Sequence, residues 1–354
     1  MQNRKIHILH LTPYMGVGGT ERCIVNLIFH SLKNDYRVSL VSPGGKGLEK
    51  VPEKVRVYKL RKWSASKPFA SVSELRNTLL AVKEDVDLIQ VHAAAEMAHL
   101  AKKYLPEKPC IFTCHGYDNA LPSYFNYWLA SRFLRSINCV IALNPLDKKY
   151  FIRAGVEREK VVFIPNGVER NFFNTNSKKE GNGKVVGIVG RLVKQKNIKW
   201  AIKAQAKFKF ASQLLIAGDG PLRRKLERYA RKLGVDREIV FLGYRERVED
   251  IYPLFSYLLV CSRNEAFPLV IMEALASGIP VFVPGWLPGI VEFFKSSPGI
   301  IVFKDGKDLK EKIEKGESVD EGNKIRDFAR SFLWGSIFKR YEEIYFNLLN
   351  GGSS

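Results

Sequence analysis

The stretch Arg263–Val283, RNEAFPLVIMEALASGIPVFV, constrains this chain more than any other. It sets two carboxylates, Glu265 and Glu273, on either side of a proline and an apolar run. Leu258–Ser262, just before it, reads as a buried strand. Pro268 suits the first position of a helix, where a missing N–H loses no partner. The helix is predicted to reach Ser277, with Gly278 past its end and Pro280 barring continuation. Val281–Pro284 is the next strand. Strand, acidic turn, helix and strand make one βαβ unit. The free N–H groups of Leu269 and Val270 point out of the helix start and, with the helix dipole, form a site for phosphate. Glu273, one turn in, is placed to accept hydrogen bonds from a ribose diol. Glu265 precedes the helix, closer to whatever hangs from the far end of the phosphates. The plainer alternative is a helix with two solvated glutamates. The apolar neighbours of Glu273 argue against it.

A chain of 354 residues with 46% hydrophobic content can bury two cores. No apolar run approaches the length of a membrane span. The start, MQNRKIHILHLTPY, lacks the apolar region and cleavage site of a secretory signal, which predicts an intracellular protein. The cysteines, Cys23, Cys110, Cys114, Cys139 and Cys261, are scattered without zinc spacing, so free thiols are expected. The net charge is +21, of which +11 lies in residues 1–168 (25 basic, 14 acidic) and +10 in the rest. An excess spread over both halves favours anionic partners: a phosphorylated substrate, an anionic lipid surface or nucleic acid.

Taken in order, Ile6–Leu11 is a predicted strand and Thr20–Leu32 an amphipathic helix. Between them, Gly16, Gly18 and Gly19 let backbone approach a phosphate or sugar. Strands follow at Arg37–Ser42 and Val55–Leu60. Lys54–Lys67 holds six cations and Trp63 with no acid. It reads either as a solvated loop or as a membrane-surface patch. Pro68–Glu84 is a helix. Asp85-Val86-Asp87 resembles a metal-binding pair but precedes the strand Leu88–Val91, whereas ligands of open parallel sheets sit outside the carboxyl ends. His92 and His115 do lie at such ends, after Leu88–Val91 and Cys110–Cys114. His7 and His10 fall inside the first strand and read as satisfied core residues. Ser123–Ser136 is an aromatic-rich helix with Arg132 and Arg135, either packed on the sheet or turned to lipid. Val140–Leu143 and Val161–Ile164 are strands, and Pro165–Val168 a turn.

Glu169–Lys184 reads as a polar linker before a second βα series. Strand Val185–Val189 leads to Arg191 and Lys196, then to a helix from Ile198 to Lys209. Two cations leaving one strand end can neutralise a diphosphate and stabilise it as a leaving group. Strand Leu214–Ala217 ends in Gly218-Asp219-Gly220-Pro221, helix Leu222–Lys232 follows, and strand Ile239–Leu242 ends at Gly243. Gly322–Leu349 is helical with a break near Trp334-Gly335. Each half is therefore a doubly wound α/β unit.

Together these motifs resemble a retaining glycosyltransferase of the group 1 family (family 4 type), with the two-domain GT-B fold. The resemblance rests on Gly16–Gly19 followed by Glu21, His115-Gly116, Pro165–Val168, Gly190-Arg191 with Lys196, Gly218–Pro221, and Glu265 through Glu273. It implies two Rossmann-like doubly wound parallel-sheet domains facing a central cleft. Residues 1–168 would form an acceptor-side domain, 169–184 a linker, and 185–325 the nucleotide-sugar domain. Residues 326–354 would pack back on the first domain. It assigns Arg191 and Lys196 to the diphosphate, Glu273 to the ribose, Glu265 to the donor sugar, and His115 to the sugar from the acceptor side. Gly18, Gly19, Gly218, Gly243, Ala266, Phe267, Leu269 and Val270 complete the donor-binding set. Ala266 departs from the glycine or serine often found there, and Asn144 stands where the family often has serine.

The implied reaction moves a hexose-type sugar, with retained configuration and no metal or other cofactor, to a glycan or lipid-linked acceptor. Rival readings are a nucleotide-sugar epimerase, a phosphorylase on the same fold, or a nucleic-acid binder. No nucleic-acid motif supports the last, so nucleic acid is not an expected partner. The expected location is cytoplasmic, either free or peripheral on the inner membrane face through 54–67 and 123–136.

Overall fold

The computed structural model describes residues 4–60, 72–116, 123–175, 184–316 and 321–351. The chain divides into two compact units, 1–166 with 334–354 and 167–333. Strand order in the first unit is β3-β2-β1-β4-β5-β6-β7, all parallel. Its strands are β1 (His7–Leu11), β2 (Arg37–Ser42), β3 (Arg56–Lys59), β4 (Leu88–His92), β5 (Cys110–Cys114), β6 (Cys139–Ala142) and β7 (Val161–Phe163). Its crossover helices are α1 (Gly19–Lys33), α2 (Val72–Ala81), α3 (Ala95–Tyr104), α4 (Ser123–Phe133) and α5 (Pro145–Arg153). Parallel strands covered on both faces read as continuous apolar runs, which is why β5, CIFTC, is buried throughout. Leu9, Leu11, Val91 and Phe112 pack one core with Met97 and Leu134; Ile24, Ile28 and Leu40 pack another.

In the second unit the order is β10-β9-β8-β11-β12-β13, again all parallel. Its elements are β8 (Val185–Val189), α6 (Ile198–Phe208), β9 (Gln213–Ala217), α7 (Arg223–Lys232), β10 (Ile239–Gly243), β11 (Tyr257–Leu259), α8 (Leu269–Ala276), β12 (Val281–Pro284), α9 (Pro288–Phe293), β13 (Ile300–Phe303), α10 (Gly306–Lys315) and α11 (Gly322–Arg330). The last helix, α12 (Trp334–Leu349), belongs to the first unit. There Tyr345 donates to the Gln90 side chain at 2.5 Å and Arg340 to the Phe163 carbonyl at 2.6 Å.

Three sequence expectations change here. The helical tail passes to the first unit at Trp334 and not at residue 326, because α11 packs on α8. The stretch read as a linker is anchored in the second unit over its first residues. Phe172 is buried there against Tyr252, and its carbonyl accepts from the Ser277 hydroxyl. Strand β11 stops at Leu259, short of Ser262: Val260 still bonds the Phe282 carbonyl, but by Arg263 the backbone bonds the Gln195 loop and not the sheet. Of the basic stretch 54–67, residues 61–67, with Trp63, lie outside the described residues.

Candidate active site

Two loops leave the carboxyl ends of the central strands β8 and β11 and are fastened to each other. The Arg263 N–H donates to the Gln195 carbonyl at 2.8 Å, and the Gln195 amide donates to the Asn264 carbonyl at 3.1 Å. The Cys261 thiol donates to the Lys196 carbonyl at 3.2 Å; burial pushes that thiol up to about 12, so it stays protonated and can donate. Above these bonds Lys196 Nζ meets Glu265 Oε1 at 2.5 Å, with both side chains mostly buried. Arg191, on the same β8 loop, is exposed and makes no ion pair among the described residues.

The loop after β9 locks against the Arg191 loop. Gly218 has φ +133°, and a Cβ there would stand 2.0 Å from the Gly190 carbonyl oxygen, so only glycine permits this approach. The Leu192 N–H then donates to the Asp219 carbonyl at 2.9 Å. The indole N–H of Trp286, just past β12, donates to the Ser262 carbonyl at 2.9 Å and braces the acidic turn.

Helix α8, LVIMEALA, is apolar on all sides apart from Glu273 and is buried from Ile271 to Ala276. Pro268 occupies the position before its first residue, and Leu269 and Val270 open it with no side-chain cap among the described residues. Glu273 is 2% exposed and accepts a 2.6 Å hydrogen bond from the Tyr252 hydroxyl. One carboxylate oxygen is thus held in a fixed orientation one turn behind the helix start. Neither Tyr252 nor Trp286 was singled out from sequence. Their partners lie 21 and 24 residues away, and no local pattern announces them.

In the first unit, Gly18 caps α1 in extended geometry and Gly19 begins the helix, while Glu21 is buried in its first turn. The close backbone approach beside this loop comes from Gly45 and Gly47, whose Cβ atoms would meet the Met15 and Gly16 carbonyls at 2.1 and 2.4 Å. His115 follows β5, half-buried, with Gly116 at φ +91°. His7 is a satisfied core residue, bonded to the Asp85 carbonyl and the Ser39 hydroxyl. His10 is not: its Nδ1 meets His92 Nε2 at 2.9 Å, but its buried Nε2 has no partner among the described residues. The β1–β4 register brings these two histidines together, and sequence alone does not give that register. Asn144 caps α5 by accepting from the Asp147 N–H at 2.8 Å. Asp87 takes the His7 N–H and the Arg4 guanidinium, and Asp85 pairs with Arg37, so this acidic pair serves the amino end of the sheet.

Burial holds His10 down to about 3 and His115 to about 4, and His92 is also well below its ordinary value. The unfolded chain takes up protons below about 6.5, where these folded rings do not, so their stabilisation is complete above that pH and fades below it. Buried Asp147, raised to about 6, and Glu96, also raised by burial, work in the opposite direction, but His7 and His30 are lowered by burial as well, so the histidines outnumber the acids. The melting temperature of the first unit is expected to fall between pH 7 and 5, with a shallower slope in His10→Asn. Calorimetry checks this, and a flat profile contradicts it.

The sequence profile described as "Glycosyl transferases group 1" matches residues 169–329, and that described as "Glycosyltransferase Family 4" matches residues 17–172. The chain is a family 4 type, group 1 glycosyltransferase. Among the relatives of this glycosyltransferase, the putative glycosyltransferase EpsF of Bacillus subtilis is 26% identical over 80% of each chain. A Campylobacter jejuni α-1,4-N-acetyl-D-galactosaminyltransferase, named for a diNAcBac-PP-undecaprenol-linked glycan, is 29% identical over 73% of each chain. The crystal structure of Anabaena HepE in complex with UDP superposes with a TM-score of 0.81 at 20% identity, covering 97% of this chain and 100% of that one. At that identity the likeness shows the GT-B fold.

Proposed function

We propose that this glycosyltransferase moves a hexose-type sugar from a nucleoside-diphosphate sugar to an acceptor hydroxyl with retained anomeric configuration. The observation that carries this is the fastening of Lys196 onto Glu265 beside a helix start whose next turn presents a fixed Glu273. Arg191, Lys196 and the N–H groups of Leu269 and Val270 hold the diphosphate and stabilise it as it leaves. Glu273 takes the ribose. Glu265 faces the transferred sugar, and the acceptor attacks on the face from which the diphosphate departs. His115 contributes a hydrogen bond to the sugar. Within the second unit, Gly218, Gly243, Ala266 and Phe267 line the donor. HepE, solved with UDP, supports a uridine nucleotide as the first donor to test. No metal is invoked, because the two cations and the helix start supply the counter-charge. Transfer is therefore expected to survive EDTA; loss restored by magnesium would contradict this part. Retention is checked by proton NMR of the product, whose anomeric coupling should match that of the donor. Inversion would refute it, and turnover of donor without acceptor would favour an epimerase.

The acceptor is proposed to be lipid-linked, in keeping with the name of the Campylobacter relative. Among the described residues no helix is long and apolar enough to cross a membrane. Helix α4 buries Tyr127 and Ala130 and exposes Phe125, Trp128 and Leu129, with Arg132 lying 4.0 Å from the Trp128 ring centre. A greasy face carrying cations suits an anionic leaflet. Among the described residues, strand β3, with exposed Lys54, Arg56 and Lys59 near it, is separated from β5 by three strands, so the proposal is argued from α4. Sedimentation with anionic vesicles at low salt should carry the protein down, and Trp128→Ser should reduce it severalfold. No binding to anionic vesicles at low salt would return the acceptor to solution.

A further inference from the structure

Three imidazoles form a chain across the face of the first sheet. His10 stands opposite Gln90 in the β1–β4 register, so His92, two residues on, is its diagonal neighbour on the same face. His92 stands opposite Thr113, so His115 is the next diagonal neighbour. His10 Nδ1 and His92 Nε2 are 2.9 Å apart, and His92 Nδ1 and His115 Nε2 are 3.1 Å apart. The ring centroids lie 5.3 and 5.4 Å apart, with planes inclined by 14° and 37°. Each centroid separation exceeds its N···N distance by about two ring radii. The contacts are therefore edge-to-edge hydrogen bonds along the rings, not face-to-face stacks. Beside them Tyr345 donates to Gln90, and Gln90 donates to the Thr113 hydroxyl at 3.1 Å, which fixes the strands from the α12 side.

The chain allows few proton arrangements. Burial keeps all three rings neutral at physiological pH, so each has one donor and one acceptor nitrogen. A proton on His10 Nε2 forces protons onto Nε2 of His92 and His115. A proton on His10 Nδ1 forces them onto Nδ1 of both. His10 Nε2 is buried with no partner among the described residues. Orphaned buried N–H groups are rarer than under-used acceptors, which favours a bare lone pair at that atom. The second arrangement follows.

We propose that His92, at the buried end of this chain with His10, is a positioning residue that locks the tautomer of His115, so that His115 presents an Nδ1–H donor to an oxygen of the sugar substrate. The contact to sugar rests on the reading of His115 given above; the tautomer lock does not. In this arrangement His115 is a donor that orients a sugar oxygen, and it does not accept a proton from the acceptor hydroxyl. Ala93, at φ +64° directly after His92, bonds its N–H to the Thr113 carbonyl at 3.1 Å and holds the central ring's backbone to β5.

The test uses the full chain labelled with ¹⁵N-histidine. Six histidines make the spectrum tractable, and His115→Gln identifies the His115 signals. Long-range proton–nitrogen correlation at pH 7 should show His92 and His115 protonated on Nδ1. His92→Leu removes the donor to His115 Nε2 and should let the half-buried His115 ring move toward the Nε2–H form that a free imidazole prefers. In His92→Asn the side-chain amide can donate from near the Nδ1 position, and His115 should keep its wild-type form. In His10→Leu the buried end of the chain becomes His92 Nε2, which stays bare by the same rule, so His115 should also keep its wild-type form. With the donor found by ligand screening, His92→Leu should have kcat/KM about tenfold below His92→Asn, the scale of one hydrogen bond. An Nε2–H tautomer on His115 in the wild-type protein, or an unchanged Nδ1–H one in His92→Leu, overturns the proposal. Should His92→Leu fail to fold, the wild-type spectrum alone still decides. Unchanged kinetics in His115→Ala would remove the sugar contact while leaving the tautomer result standing.

Discussion

Lys196→Ala and Arg191→Ala are each expected to lower turnover by about 100-fold or more, because both remove a cation that matters most as diphosphate charge develops. The two should differ in stability. Lys196 covers a Glu265 side chain that is only 10% exposed, so its loss leaves a largely buried carboxylate without its ion-pair partner. That should cost about 1–3 kcal/mol. Arg191 is exposed, and Arg191→Ala should melt with the wild type. Steady-state assays with the identified donor, paired with thermal melts, check both points. Turnover within twofold of wild type in both variants would remove the diphosphate assignment.

Glu265→Gln and Glu273→Gln should fail differently although they lie on one short segment. Glu273 is oriented by Tyr252 and proposed to touch ribose, so Glu273→Gln should weaken nucleoside diphosphate binding about tenfold, the scale of a charged hydrogen bond. Tyr252→Phe should reproduce part of that loss. Glu265 lies beyond the helix start, so Glu265→Gln should leave nucleotide affinity within about threefold and cut the chemical step by about 100-fold or more. Calorimetric titration with the free diphosphate, set beside single-turnover rates, separates the two. Equal loss of binding in both variants contradicts the division of roles.

Much of this architecture was legible because parallel strands buried on both faces announce themselves. Arg37–Ser42, Cys110–Cys114, Val185–Val189 and Val281–Pro284 were read to the residue. The helical break near Trp334 was read too, and falls at residues 331–333. Some elements are not singled out by the sequence reading, including the wholly apolar strand β13, IIVF, and the sparsely apolar helix α10. Helix α10, GKDLKEKIEK, buries only Gly306, Leu309 and Ile313, and its clearest signal was Asp305, which caps it through the Lys307 and Asp308 N–H groups. At the site, the carboxylates, cations and glycines could be picked out by residue type and position after strands. What holds them could not. Tyr252 under Glu273, Trp286 under Ser262 and His10 beside His92 are tertiary neighbours brought together by sheet register and loop packing. The reading of His10 as an ordinary core residue failed for that reason.

The central claim is that the second unit of this glycosyltransferase holds a nucleoside-diphosphate sugar at the start of α8. The most direct measurement is a thermal-shift screen of the wild-type protein against UDP, GDP, ADP and their sugars. Ligands that bind only the folded state raise the midpoint in proportion to the logarithm of their concentration. One base is expected to stand out, with its diphosphate and its sugar both raising the midpoint and Glu273→Gln blunting both shifts. No shift from any nucleoside diphosphate at millimolar concentration, or shifts that Glu273→Gln leaves unchanged, would contradict the account.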